Sequence, residues 1–193
     1  TARRAVALRL ELESLARRDP LTGLFNRLGL REAFEALAAD SGQTVVVHAF
    51  DLDGFKEVND RFGHSAGDRV LAVLASRIQA SVHDDIIVAR TGGDEFVMVQ
   101  RGDEAAGKAL AHRIHEQLTR PCDLGPDQTI SVGLSLGYAI GLLPEAKFET
   151  LIHQADDVMH AIARQSKATS VPVSTRGGMS GGFGVAWWVT VMP

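Results

Sequence analysis

The chain has 193 residues, enough for one domain with appendages and too few for two full catalytic domains. Apolar residues make up 45% and charged residues 23%, the balance of a folded, water-soluble chain able to bury a sizeable core. A formal net charge of -4 excludes a general field that would draw in a nucleic-acid backbone or an anionic membrane, so a phosphate-bearing ligand needs a local site.

Residues 1–18 read as a lead-in helix: Leu8, Leu12, Leu15 and Ala16 recur at helical spacing with arginine and glutamate between them. Two readings stand for it, the end of a longer signalling helix or a helix packed on its own domain. No uninterrupted apolar run lies there, so neither a signal peptide nor a membrane span is expected at this end. Asp19-Pro20-Leu21-Thr22-Gly23 is turn chemistry, and Leu30, Ala33, Phe34 and Leu37 mark one face of a second helix that closes near Ser41-Gly42.

Thr44 to Phe50 is a β-branched, nearly uninterrupted apolar run, the pattern of a central strand covered on both faces, and it ends at acidic residues. After a polar stretch from Asp60 to Asp68, the residues Val70, Leu71, Val73, Leu74 and Ile78 restore a helical period. Ile86 to Ala89 and Phe96 to Val99 flank Gly92-Gly93 and read as a β-hairpin with an acidic tip. Glu104 to Leu118 is expected to be helix, Thr129 to Ile140 strand, and Phe148 to Arg164 helix. No fixed period appears, which argues against a solenoid.

From Ser170 the composition changes: Gly177, Gly178, Gly181, Gly182 and Gly184 form a flexible link. The apolar run Val185 to Val191, with Trp187 and Trp188, has three readings: an added edge strand, a partner contact, or an unnatural end without a role. Cys122 is the only cysteine, so no intrachain disulfide forms and a reducing compartment, the cytoplasm, is expected.

The acidic residues carry the chemistry. Asp51 and Asp53 end an apolar strand, Asp94 and Glu95 occupy a hairpin tip, and pairing of the two elements would make one carboxylate cluster. Hard divalent cations take oxygen ligands and commonly bridge one or two carboxylates to substrate phosphates. Each acidic site alone reads equally well as a solvated turn; together they point to metal-assisted phosphoryl transfer. Gly92 and Gly93 would allow close backbone approach to a nucleotide.

Gly92-Gly93-Asp94-Glu95-Phe96 spells the signature of the GGDEF family of diguanylate cyclases, which the sequence resembles. Asp19-Pro20-Leu21-Thr22-Gly23-Leu24-Phe25-Asn26-Arg27 is similar to the family's opening motif, and Phe50-Asp51-Leu52-Asp53-Gly54-Phe55-Lys56-Glu57-Val58-Asn59-Asp60 to its central one. Phe62-Gly63-His64, Gly67-Asp68 and Ser135-Leu136-Gly137 continue the match, which spans roughly residues 19 to 166.

The resemblance implies a palm-like α/β (α+β) domain over residues 19–169, a central, mostly antiparallel sheet surrounded by helices. It implies magnesium, with manganese as a possible substitute, held by Asp51, the Leu52 carbonyl, Asp94 and Glu95. Asn59 and Asp68 would recognise guanine, an amide and a carboxylate suiting its donor and acceptor edge. His64 would sit near the substrate, with Gly92 and Gly93 beside it, and Lys56 would stabilise phosphate charge. The implied reaction joins two GTP molecules into cyclic di-GMP across two copies of the domain, Asp94 or Glu95 assisting deprotonation of the attacking hydroxyl. Sensory or phosphodiesterase domains are expected outside this chain.

Two departures matter. Ala155, Asp156 and Met159 match the family's C-terminal pattern, but His160 stands for its tyrosine, Ala163 for a lysine that contacts GTP phosphates, Ser166 for a glycine and Ala168 for an asparagine. His83 to Ile86 lack the arginine and aspartate of the product-binding inhibitory site many relatives carry. The expectations are therefore an active cyclase first, a regulatory GTP-binding module second and a non-catalytic interaction module last.

Overall fold

A computed structural model describes residues 15–39, 42–125, 129–166 and 185–188, together with residue 4. Helix α1 (Arg27–Ala38) precedes strand β1 (Thr44–Asp53), which runs into α2 (Phe55–Phe62) and α3 (His64–Ser81). The hairpin β2 (Ile87–Arg90) and β3 (Glu95–Arg101) follows, then α4 (Glu104–Leu118), β4 (Cys122–Asp123), β5 (Thr129–Ile130), β6 (Gly133–Leu142), α5 (Phe148–Ser166) and β7 (Val185–Trp188).

The main sheet has five strands in the order β2-β3-β1-β6-β7, every neighbouring pair antiparallel. The central strand β1 is apolar on both faces because helices cover both, and its period of two sorts its side chains between two cores. Val46, Phe50 and Leu52 pack with Val58, Leu71 and Leu110 of α2, α3 and α4. Val45, Val47 and Ala49 pack with Leu30 and Phe34 of α1 and Leu151 and Ala155 of α5. Phe50 and Phe96 are cross-strand partners whose rings stack 5.3 Å apart, and truncating either to alanine would cost about 3–5 kcal/mol.

Local chemistry fixes the helix starts. Asn26 caps α1 by accepting from the Gly29 amide, and Asp103 caps α4 by accepting from the Ala106 amide. The polar stretch from Asp60 to Asp68 holds the end of α2 and the start of α3, with Gly63 between them. Gly54 and Gly63, at φ 82° and 83°, turn the chain at either end of α2, and only Phe55 and Val58 of that helix are buried. The stretch Thr129 to Ile140 is two strands: β5 pairs with β4 in a separate two-stranded sheet, and β6 pairs with β1.

At the far edge β7 pairs with β6, Leu136 opposite Trp188, so Val185–Trp188 of the tail forms an edge strand. The glycine-rich link over residues 170–184 and most of the lead-in helix lie outside the described residues, although Leu15 and Ala16 are helical.

Candidate functional site

Alternation along β1 puts Asp51 and Asp53 on the face covered by α1 and α5, past the apolar positions Val45, Val47 and Ala49. The register sets Asp51 opposite Glu95 on β3 and opposite Ser135 on β6. The two acidic segments, 43 residues apart at Asp51 and Asp94 in the sequence, are thus neighbours in space. The two aspartates of β1 differ, however. Ser135 Oγ donates to both carboxylate oxygens of Asp53, at 3.0 and 2.8 Å, whereas Asp51 Oδ1 is buried with no hydrogen-bond partner. Burial, and then the negative charges of Asp94, Asp53 and Glu95, push the Asp51 carboxyl up to about 6.

The signature turn is braced from below. Thr91 N donates to the Glu95 carbonyl at 2.9 Å, and the Arg90 guanidinium donates to the Gly93 carbonyl at 3.1 and 2.8 Å. Arg90 also pairs with Asp19 at 3.1 Å, both side chains largely buried. Burial would raise the Asp19 carboxyl, but hydrogen bonds from Thr22 and Arg90 outweigh it and the net shift is downward. A Cβ on Gly92 would lie 2.5 Å from Glu95 Oε2, so a side chain there would make the carboxylate folded back over the turn swing away; a Cβ on Gly93 would meet nothing within 4 Å.

The nucleobase-side candidates come from α2 and α3. Lys56 is exposed on the first turn of α2, directly after β1, and His64 is the exposed first residue of α3. Asn59 is half-buried, and a Cβ on Gly67 would fall 2.0 Å from its Oδ1, so the missing side chain lets α3 close on Asn59. Exposed Asp68 comes next on α3. The fold thus gathers Asp51, Leu52, Asp94 and Glu95 at one set of strand ends and Asn59 with Asp68 at the adjoining helix pair.

Between α1, α5 and β3 lies a cavity of about 380 Å³, lined by Arg27, Arg31, Glu95, His153, Asp156 and Met159 among others. Burial, followed by the charge of Glu95, raises the Asp156 carboxyl, while His160 and His153 oppose the shift. Sequence reading had not assigned roles to Asp19, Arg27, Arg90 or Ser135; arginine and serine carry no signal of their own until a partner is known.

The donor set fits magnesium. A buried carboxylate oxygen without a partner, among three like charges, is relieved by a hard cation. Among the described residues no three His, Cys, Asp or Glu side chains form a ready-made metal cage.

Residues 16–169 match the family model described as "Diguanylate cyclase, GGDEF domain". The chain is 35% identical over 161 residues to diguanylate cyclase TpbB of Pseudomonas aeruginosa, covering 80% of this chain and 37% of that protein. It is also 35% identical over 164 residues to cyclic di-GMP phosphodiesterase PdeB of Shewanella oneidensis, covering 84% of this chain and 19% of that protein. The chain therefore spans well under half the length of these relatives. Among solved structures, a sensory box/GGDEF family protein from Caulobacter crescentus superposes with a TM-score of 0.68 at 38% identity, covering 77% of this chain and 99% of that one.

Proposed function

This chain belongs to the GGDEF family of diguanylate cyclase domains, and from that premise we propose that it condenses two GTP molecules into cyclic di-GMP, releasing pyrophosphate, in a dimer of substrate-loaded domains. The observation that carries the reading is Asp51, a half-buried carboxylate with one buried oxygen lacking a hydrogen-bond partner, paired in register with Glu95 of an intact signature. Such a concentration of negative charge has no structural benefit of its own, and it serves a site that takes up a cation together with a triphosphate.

Asp51, the Leu52 carbonyl, Asp94 and Glu95 would hold magnesium, or manganese in its place. When bound, the ion supplies neutralisation of phosphate charge and acidifies a neighbouring hydroxyl. Asn59 and Asp68 read the guanine edge, and Lys56 meets the phosphates as a point charge. The ribose 3'-hydroxyl from one domain attacks the α-phosphorus bound by the other; the bond to pyrophosphate breaks and the proton passes to Asp94 or Glu95. One domain presents half of this arrangement, so product should form faster than linearly with protein concentration. The test is to incubate the chain with GTP and magnesium over a concentration series and separate the products by mass-resolved chromatography. Superlinear cyclic di-GMP formation, abolished in Asp94→Ala, supports the proposal; no product at any concentration contradicts it.

A second reading, a regulatory GTP-binding domain within a larger phosphodiesterase-linked protein, is favoured by Ala163, which stands on α5 where the family carries its phosphate-contacting lysine. A charge-assisted contact of that kind is worth about 1.5–3 kcal/mol. On this reading GTP binds and is not converted, and Ala163→Lys brings turnover back.

A further inference from the structure

We infer that Arg27, the last residue of the opening motif, is a positioning residue for Glu95; the inference rests on the cyclase reading of the site. Arg27 is the first residue of α1, and its guanidinium meets the signature turn at two points. Nε donates to the Thr91 carbonyl at 2.6 Å, and Nη2 lies 3.7 Å from Glu95 Oε2. The same Oε2 rests on its other side against Gly92, where a Cβ would approach to 2.5 Å. The carboxylate therefore lies between Gly92 of its own turn and an arginine from another element.

The base of that arginine is fixed. Asn26 accepts from the Gly29 amide at 3.0 Å while its amide donates to the Ala16 carbonyl at 2.8 Å. Phe25 is stitched to β2, its amide donating to Val88 O at 3.1 Å and its carbonyl accepting from Arg90 N at 2.8 Å. Movement of the turn relative to α1 must break the Arg27 contacts.

Stability does not account for the arrangement. The Arg27 and Glu95 side chains are 75% and 47% exposed, and an ion pair in that setting contributes little to stability. What a planar guanidinium adds is direction: it binds a carbonyl and a carboxylate at once, which the single ammonium of lysine does not reproduce. Arg27 thus sets where the Glu95 carboxylate stands when substrate arrives.

The test compares wild type, Arg27→Gln and Arg27→Lys for kcat and KM with GTP and magnesium, with melting temperatures alongside. Arg27→Gln should lower kcat about tenfold with KM within about twofold, since misplacing a reacting group acts on the transition state. Arg27→Lys should recover only part of that loss, and both variants should melt within about 2 °C of wild type. Unchanged kcat overturns the inference, as does a raised KM at constant kcat, which would make Arg27 a substrate contact. If the wild type forms no product, the cyclase reading fails on its own account. Amide hydrogen exchange over Thr91 to Glu95 then decides: faster exchange in Arg27→Gln supports the positioning role, and an unchanged rate overturns it.

Discussion

Asp51 and His48 stand on the same strand, and burial displaces both from their ordinary titration, Asp51 up to about 6 and His48 down to about 3. They differ in the charge around them. His48 lies wholly inside the core under α3 and α4, its Nε2 3.3 Å from the Gln100 amide nitrogen and its ring 5.6 Å from that of Tyr138. With the Gln100 amide nitrogen donating, Nε2 accepts, and Nδ1 lies buried without a hydrogen-bond partner. Asp51 faces the other side of the sheet at the strand's end, where Asp94, Asp53 and Glu95 add like charge to the effect of burial. Burial alone therefore does not mark a functional group; burial combined with converging charge of one sign does.

Substituting the two residues sharpens the contrast. Asp51→Asn keeps the shape and removes the charge, and should reduce cyclic di-GMP formation by about 100-fold or more, measured by chromatography. The same change should stabilise the metal-free protein at pH 8 by roughly 1 kcal/mol in urea unfolding with a chelator present. Asp51 titrates higher in the folded than in the unfolded chain, so its favourable contribution is complete below its ordinary value and is lost as pH rises through about 6. The gain from Asn should therefore vanish near pH 4.

His48 gives the opposite dependence. Its folded value lies below the ordinary 6.5, so its contribution is present above that pH and is lost as pH falls toward about 3. His48→Leu should flatten the acid limb of the stability profile by a few kcal/mol while leaving magnesium affinity unchanged; an unchanged acid limb would remove His48 from the account.

Smaller effects are expected nearer the nucleobase. Gly67→Ala forces a Cβ against Asn59 and should raise KM for GTP about tenfold with little change in melting temperature. Ser135→Ala removes the hydroxyl that donates to Asp53 and should lower turnover only about threefold, the scale of one hydrogen bond.

The sequence made the acidic half of this picture legible because strand periodicity and a glycine-marked hairpin predict which elements end in carboxylates. The pairing of Asp51 with Glu95 needed only that β1 and β3 be neighbours. Helix α2 was not legible by pattern: Phe55 and Val58 are its only buried residues, too few to set a period against Lys56, Glu57, Asp60 and Arg61. The division of labour between Asp51 and Asp53 was also hidden, since it depends on Ser135, a residue 82 positions from Asp53. The braces from Asp19 through Arg90 and from Arg27 are long-range for the same reason, spanning 71 and 64 positions.

The most direct test of the central claim is calorimetric titration of magnesium into the chain with a non-hydrolysable GTP analogue, for wild type and Asp51→Asn. Saturable magnesium binding that depends on the analogue and is lost in Asp51→Asn is the predicted result. Equal affinity in both proteins would show that Asp51 of β1 does not hold the ion, and would contradict the account.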